Sequence, residues 1–254
     1  MAKYRCVHQN GKSSSSIPLA PKGKKSVSVI LPTYCEEELI GKMIESISRN
    51  LGDINHEIII VDDDSKDRTP EIIDRYAKES SVVALHRYGK RGILSAIVDG
   101  IKISRGHTIV LMDADFSHPP EKIPELLSYL PEYDFVSASR FIAGSRIVAP
   151  FSRKAATIAL NTALRIILGL QPHDLTGVFH AIKRNKLLSL QLRYPAVWGE
   201  FDMELFYLAA RNKLLIKEIP FTYDFRKEGQ SKSENLLKYG WIYITRALRI
   251  RFFR

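Results

Sequence analysis

Two aspartates one residue apart, Asp113 and Asp115, follow directly on the apolar run 109–112. Carboxylates that close repel each other unless a cation sits between them. Oxygen ligands of this kind suit Mg²⁺ or Mn²⁺, and Mg²⁺ is usually shared between a carboxylate or two and a substrate's phosphates. The chemistry to expect is a metal–diphosphate site. Alone, an Asp-x-Asp is also an ordinary strand-end turn, so its company decides. A second acidic cluster, Asp62, Asp63 and Asp64, follows the apolar stretch 57–61; Asp62 and Asp64 read as turn or cap residues. Arg140 closes the run 135–140, where it can meet a phosphate or pair with a nearby carboxylate. Asp174 either caps a turn or orients an arginine. His118 stands before Pro119-Pro120 and reads as a turn residue rather than a base.

The elements that must carry these residues alternate. Segments 26–32, 57–61, 82–86 and 109–112 are short β-branched or apolar runs that read as buried strands. Between them, 39–47, 70–79 and 93–104 have helical apolar spacing, and Pro70 suits a first helical position. Alternation of this kind predicts a mostly parallel sheet with crossover helices on both faces. Ligands of open α/β sheets bind outside the carboxyl ends of the strands, which is where both acidic clusters fall. Further strands are expected at 135–140 and 216–225. Further helices are expected at 152–170, 201–212 and 236–254. No Gly-x-Gly-x-x-Gly follows the first strand and no Gly-x-x-x-x-Gly-Lys-Ser/Thr occurs, which argues against a dinucleotide dehydrogenase or a P-loop enzyme. A metal must then neutralise any diphosphate.

The 254 residues carry a net charge of +10, which points to an anionic partner. No stretch approaches 18 uncharged apolar residues, and no signal peptide pattern follows Lys3 and Arg5. Cys6 and Cys35 form no disulfide framework and favour a reduced, intracellular setting. Residues 1–25 are expected to be a disordered leader, 26–234 one α/β domain, and 235–254 a basic amphipathic helix. Helices 152–170 and 236–254 combine apolar and basic residues and are candidates to lie on a membrane surface. Trp198 and Trp241 read as core or interface anchors.

Val-Ile-Leu-Pro-Thr-Tyr at 29–34 with Glu36, Val-Asp-Asp-Asp-Ser at 61–65, Met-Asp-Ala-Asp at 112–115 and Ser-His-Pro-Pro at 117–120 resemble family 2 glycosyltransferases of the Rossmann-like GT-A fold. Ser139-Arg140, Asp174-Leu-Thr-Gly-Val-Phe and Gly229-Gln-Ser-Lys232 narrow the likeness to dolichol-phosphate (polyprenol-phosphate) mannosyltransferases. The resemblance implies that Pro32, Tyr34 and Glu36 contact the nucleoside and that Val61 and Asp63 hold base and ribose. It implies that Asp113, Ala114 and Asp115 hold metal and diphosphate, with Ser117 completing the metal site. Arg140, Arg226 and Lys232 would meet phosphates, and Asp115 and Arg140 would carry the catalysis. Cys35 departs from the family, where asparagine is usual.

The implied reaction moves mannose from GDP-mannose to a polyprenyl (dolichyl) monophosphate, with Mg²⁺ or Mn²⁺ as cofactor and inversion at the anomeric carbon. The implied setting is the cytoplasmic face of a membrane as a peripheral protein, with a small membrane-anchoring subunit as a conceivable partner. A UDP-glucose-dependent polyprenyl-phosphate glucosyltransferase fits the same residues. A nucleic-acid-binding protein accounts only for the charge, and no nucleic-acid motif is present. A non-catalytic relative is disfavoured by the intact carboxylates at 113 and 115.

Overall fold

The computed structural model describes residues 3–7, 26–190, 192, 200–224 and 236–253. Strand β1 (Lys3–Val7) is followed by β2 (Val27–Thr33), α1 (Ile40–Leu51), β3 (His56–Asp62), α2 (Thr69–Glu79), β4 (Val82–Tyr88), α3 (Ile93–Ile103) and β5 (Thr108–Leu111). Then come α4 (Ile123–Ser128), β6 (Phe135–Ser139), β7 (Arg146–Val148), α5 (Phe151–Leu168), β8 (His180–Lys183) and α6 (Arg184–Ser189). The remaining elements are α7 (Glu200–Arg211), β9 (Ile216–Pro220), β10 (Thr222–Asp224) and α8 (Leu236–Phe253).

Eight strands form one sheet in the order β1-β4-β3-β2-β5-β8-β6-β9. β4, β3, β2 and β5 run parallel, as do β6 and β9, while β1 and β8 are reversed. The chain steps from β2 outward to β3 and β4, then returns to place β5 on β2's other side. That reversal opens a crevice above the carboxyl ends of β2 and β5, and Asp113 to Asp115 begin two residues past β5.

Both faces of the sheet are covered, because the central strands send buried apolar residues to either side. Val29 and Leu31 of β2 and Ile58 and Ile60 of β3 point into a core with α1, α2 and α4. Ile30, Ile59 and Val61 point the other way, into a core with α3, α5, α7 and α8. The α/β architecture expected from the alternation is the one found.

Two readings change. Residues 3–7 are not part of a disordered leader: they form β1, antiparallel to β4, with Arg5 paired to Asp74. Only five residues of modest alternation carried that strand, too few to separate from the polar segment behind it. The strand expected over 216–225 is broken after Pro220, which has no N–H to give a ladder. β10 instead pairs with β7 in a separate two-stranded sheet, an element the sequence did not reveal. Residues 8–25 and 225–235, with Arg226 and Lys232, and Trp198 lie outside the described residues.

Gly100 shows how closely α3 lies on the sheet: a Cβ there would come within 2.6 Å of Ile30 Cγ2 and 3.2 Å of Val61 Cγ2. Ile30 is β-branched and cannot swing away. Gly100→Ala would gain about 1 kcal/mol of helix propensity and lose up to about 3 kcal/mol to overpacking. The expected outcome in thermal unfolding is a lower Tm than wild type.

Candidate active site

The acidic turn forms where β5 stops. Met112 still donates to Ile30 O (3.4 Å), and the chain then leaves the sheet. Ser117 closes the turn on Asp115: its N–H and its hydroxyl both donate to Asp115 Oδ1, at 3.1 and 2.6 Å. Phe116 between them has φ 59°, the left-handed region that few bulky residues adopt. His118 holds the other end, its Nδ1 accepting the Asp113 N–H at 3.0 Å. Its ring is buried and stacked on Phe179 at 5.1 Å. Burial lowers its pKa to about 3, so the imidazole is neutral with its proton on Nε2. It braces the turn and has no free basic nitrogen at Nδ1.

Asp113 keeps 31% of its side-chain surface. Its pKa is pushed up to about 7, first by burial and then by Asp115; Asp202 and Glu36 push the same way, and Arg140 opposes. Among the described residues neither Asp113 nor Asp115 has a lysine or arginine ion pair; Arg140 pairs with Asp174 instead. Among the described residues the pair therefore has no lysine or arginine partner, and a divalent cation fits it. Among the described residues no three His, Cys, Asp or Glu side chains form a complete ligand set. Asp113, Asp115 and the Ser117 hydroxyl would supply part of an oxygen shell, leaving places for water and phosphate, the arrangement Mg²⁺ prefers.

On the β2–β3 side, the residues assigned to a nucleoside gather at the strand ends. Pro32 is half-buried at the end of β2. The Tyr34 hydroxyl accepts from Arg91 at 2.6 Å while that guanidinium lies 4.1 Å over the ring. Cys35 has φ 52° and donates its N–H to Ser65 Oγ at 2.8 Å. Asparagine tolerates that conformation better than other non-glycine residues, which explains the family's usual residue. Glu36 sits in the turn that leads into α1, its carbonyl accepting from Leu39 and Ile40. Asp62 and Asp64 have local tasks, on His86 and Lys66.

Two residues expected to contact a ligand are placed differently. Val61 is fully buried in the core, which leaves its main chain as the only part able to meet a nucleoside. Asp63 has both oxygens engaged, Oδ1 by Arg87 Nε (2.7 Å) and Oδ2 by the Gly92 N–H (2.8 Å). Burial nonetheless raises its pKa. Arg87 is itself wholly buried and also reaches Asp99 and Ser95. Sequence reasoning missed it because an arginine inside a strand run looks like an edge residue.

Arg140 leaves the end of β6 and is gripped by Asp174: Nε to Oδ2 and a terminal nitrogen to Oδ1, both 2.7 Å. Thr176 Oγ1 accepts a third bond at 2.9 Å. Burial alone would lower the guanidinium's pKa, but Asp174 holds it above its ordinary value. Asp174 is buried and meets both readings: it grips Arg140, and its Oδ1 also accepts the Thr176 N–H of its own turn at 3.4 Å. Beside Arg140 lies a cleft of about 120 Å³ lined by Arg153, Lys154 and Thr157 of α5 with Tyr223 of β10. Arg153, Lys154 and Thr157 share a helix face at i and i+3/i+4 spacing, a signal present in the sequence; which way that face turns was not. Deeper, His180 bridges Ser137 Oγ (3.1 Å) and Asp202 Oδ1 (3.0 Å). Asp202 Oδ2 is buried without a hydrogen-bond partner among the described residues.

The glycosyl transferase family 2 model matches residues 28–190. A dolichol-phosphate mannosyltransferase of Pyrococcus furiosus is 33% identical over 212 residues, covering 81% of this chain and 58% of that protein. An undecaprenyl-phosphate mannosyltransferase of Micrococcus luteus is 35% identical over 217 residues, covering 81% of this chain and 86% of that protein. The chain thus spans less than two thirds of the first relative. Among solved structures, glucosyl-3-phosphoglycerate synthase of Mycobacterium tuberculosis with Mn²⁺, UDP-glucose and phosphoglyceric acid superposes with a TM-score of 0.62 at 21% identity, over 89% of this chain and 79% of that one. This is a likeness of fold.

The raised Asp113 pKa has a sign that can be checked. A carboxyl whose folded pKa lies above its unfolded value of about 3.9 is penalised in the fold wherever it is ionised, so the cost is full above about pH 7 and vanishes below the unfolded pKa. Asp113→Asn removes it. The metal-free variant is expected to melt above wild type at pH 8, by about 2–4 °C for each kcal/mol relieved, with the gap closing towards pH 4. A scan of Tm against pH reads this directly.

Proposed function

The chain belongs to glycosyl transferase family 2, and from that we propose that it transfers mannose from GDP-mannose to a polyprenyl monophosphate, releasing GDP. The single observation that carries the reading is the pairing of two oppositely charged subsites at one sheet edge. One is the acidic turn 113–117; the other is the basic cleft of Arg140, Arg153 and Lys154. A nucleotide sugar needs the first and an acceptor phosphate the second.

A divalent cation bound at Asp113 and Asp115 would stabilise the charge that develops on the departing diphosphate. The protein's own part is placement. Arg140 is locked by Asp174 in its charged form and can orient an acceptor phosphate without changing protonation. Arg153 and Lys154 add positive charge on the same wall. A phosphate monoester has a second pKa of about 6 and is largely dianionic at pH 7, so no residue has to remove a proton. That suits a site whose nearest histidine, His118, is neutral and committed through Nδ1. Direct displacement would invert the anomeric carbon. Arg226 and Lys232 are retained in this proposal as further phosphate contacts.

The acceptor is a lipid, and two helices flank the cleft's side of the molecule with apolar rows left bare. α5 exposes Phe151 (85%) and Ile166 (76%), and 100° per residue puts them within about 60° of each other. α8 exposes Trp241 (71%) and Phe252 (70%), within about 20° of each other on the same count. α5 and α8 pack together, and α8 also buries Tyr243, Ala247 and Ile250 in the core. No described helix is long and apolar enough to cross a membrane. We propose from the bare apolar residues of α5 and α8 that the protein sits on a bilayer surface, at the cytoplasmic face, where a small anchoring subunit could join it.

Incubation with GDP-[¹⁴C]mannose, Mn²⁺ and a polyprenyl phosphate is expected to give organic-extractable label, and Asp115→Ala to reduce it at least about 100-fold. Label from UDP-glucose but not GDP-mannose would select the glucosyl alternative, and NMR of the product sugar reports inversion or retention. For the surface, Trp241→Ser with Phe252→Ser is expected to move the protein from the floating to the soluble fraction in flotation with anionic liposomes, while transfer to a short water-soluble acceptor persists.

A further inference from the structure

Arg140 belongs to both subsites: it opposes the charge on Asp113 and it opens on the basic cleft. Its aim depends on Asp174, yet Asp174 sits in a turn with no regular structure. That turn is pinned from two directions. From β9, Glu218 accepts the His173 N–H on both oxygens at 2.9 Å, the Asp174 N–H on Oε1 at 3.1 Å and His173 Nδ1 on Oε2 at 2.8 Å. From α5, Asn161 Oδ1 accepts the Leu175 N–H at 2.7 Å. Asn161 Nδ2 donates at 3.0 Å to Thr176 Oγ1, the same oxygen that accepts from Arg140. Asparagine is a poor mid-helix residue, and a buried amide costs free energy unless bonded; among the described residues Asn161 is buried and bonded through this turn and its own helix. Gly177 leaves room beside the pair, since a Cβ would come within 3.3 Å of Asp174 Oδ2 and 3.4 Å of the Arg140 guanidinium.

We propose that Glu218 and Asn161 are positioning residues that set the direction of the Arg140 guanidinium by clamping the turn 173–176, and so determine how the acceptor phosphate is held. Neither lines the cleft; both act through Asp174 and Thr176. The clamp ties sheet, turn and α5 together, so Arg140 and Arg153 keep a fixed relation to one another. The proposal rests on the reading of Arg140 as an anion-binding group.

Two readouts separate the clamp from that reading. The first needs no activity: the ¹⁵N-detected Nε–H of Arg140, identified by its loss in Arg140→Lys, is protected by its bond to Asp174. Glu218→Gln is expected to speed its exchange with solvent roughly 10-fold or more while the Tm stays within a few degrees of wild type; unchanged exchange overturns the proposal. Gly177→Ala, which crowds the pair without removing a bond, is expected to act in the same direction, and keeps the test open if Glu218→Gln fails to fold. The second readout is kinetic. Glu218→Gln is expected to raise KM for the polyprenyl phosphate roughly 10-fold with KM for GDP-mannose unchanged, and to add nothing in an Arg140→Lys background. An equal effect in that background overturns the proposal. If wild type transfers no sugar but the exchange result holds, the reading of the site falls and the clamp stands.

Discussion

The interaction on which this molecule turns is an unrelieved repulsion. Asp113 and Asp115 are held one residue apart at the end of a buried strand, and the groups that press on Asp113 are mostly acidic. A folded chain ordinarily removes such a cost by pairing the charge with a nearby cation. Among the described residues the cation that acts on Asp113, Arg140, is engaged by a different carboxylate. The turn's own bonds fix the Asp115 carboxylate through Ser117 and the Asp113 main chain through His118, without neutralising either charge. Local destabilisation retained in this way is the usual mark of a site built for a ligand that supplies the missing charge.

Keeping Arg140 from collapsing onto the aspartates is a second task, which Asp174 performs. The fork of 2.7 Å bonds satisfies the guanidinium and leaves its remaining surface facing Tyr223 and the cleft. One sheet edge can thus carry a region that attracts cations and a region that attracts anions, without the two cancelling. The sheet makes this possible. β8 and β6 lie between β5 and β9, so the two charged regions rise from different strands of a rigid frame.

Much of this frame was legible in the residues. Apolar runs of four to seven, each ending in a charged cluster, gave the parallel strands and put both acidic turns on one edge; Pro70 and the helical spacing gave α1 to α3. What was not legible has a common physical cause. β1, β7 and β10 are short and have little apolar pattern, and their pairing is decided by partners far away in sequence. Arg87, Glu218 and Asn161 owe their roles to burial and to bonds across tens of residues, and an isolated charged or amide residue in a sequence looks the same whether it is buried or solvated. Family likeness pointed to Asp63 and Val61 as ligand contacts; the structure adds that Asp63 has two internal partners and that the Val61 side chain lies in the core.

The exposed apolar rows on α5 and α8 complete the physical picture of the proposed reaction. A soluble protein rarely leaves several large apolar side chains bare on adjoining helices without a partner for them. Placed on a bilayer surface, those side chains would be buried, and each lysine or arginine near an anionic surface adds about 1 kcal/mol. α5 is the element that joins the two phases: its first turns supply Arg153, Lys154 and Thr157 to the cleft, while Phe151 and Ile166 stay bare on another arc. In the proposed reaction a phosphate on a long lipid would reach Arg140 with its chain still in the membrane, and a nucleotide sugar would enter from water at the β2–β5 crevice. The protein would then have only to hold two anions apart until they meet at a fixed guanidinium.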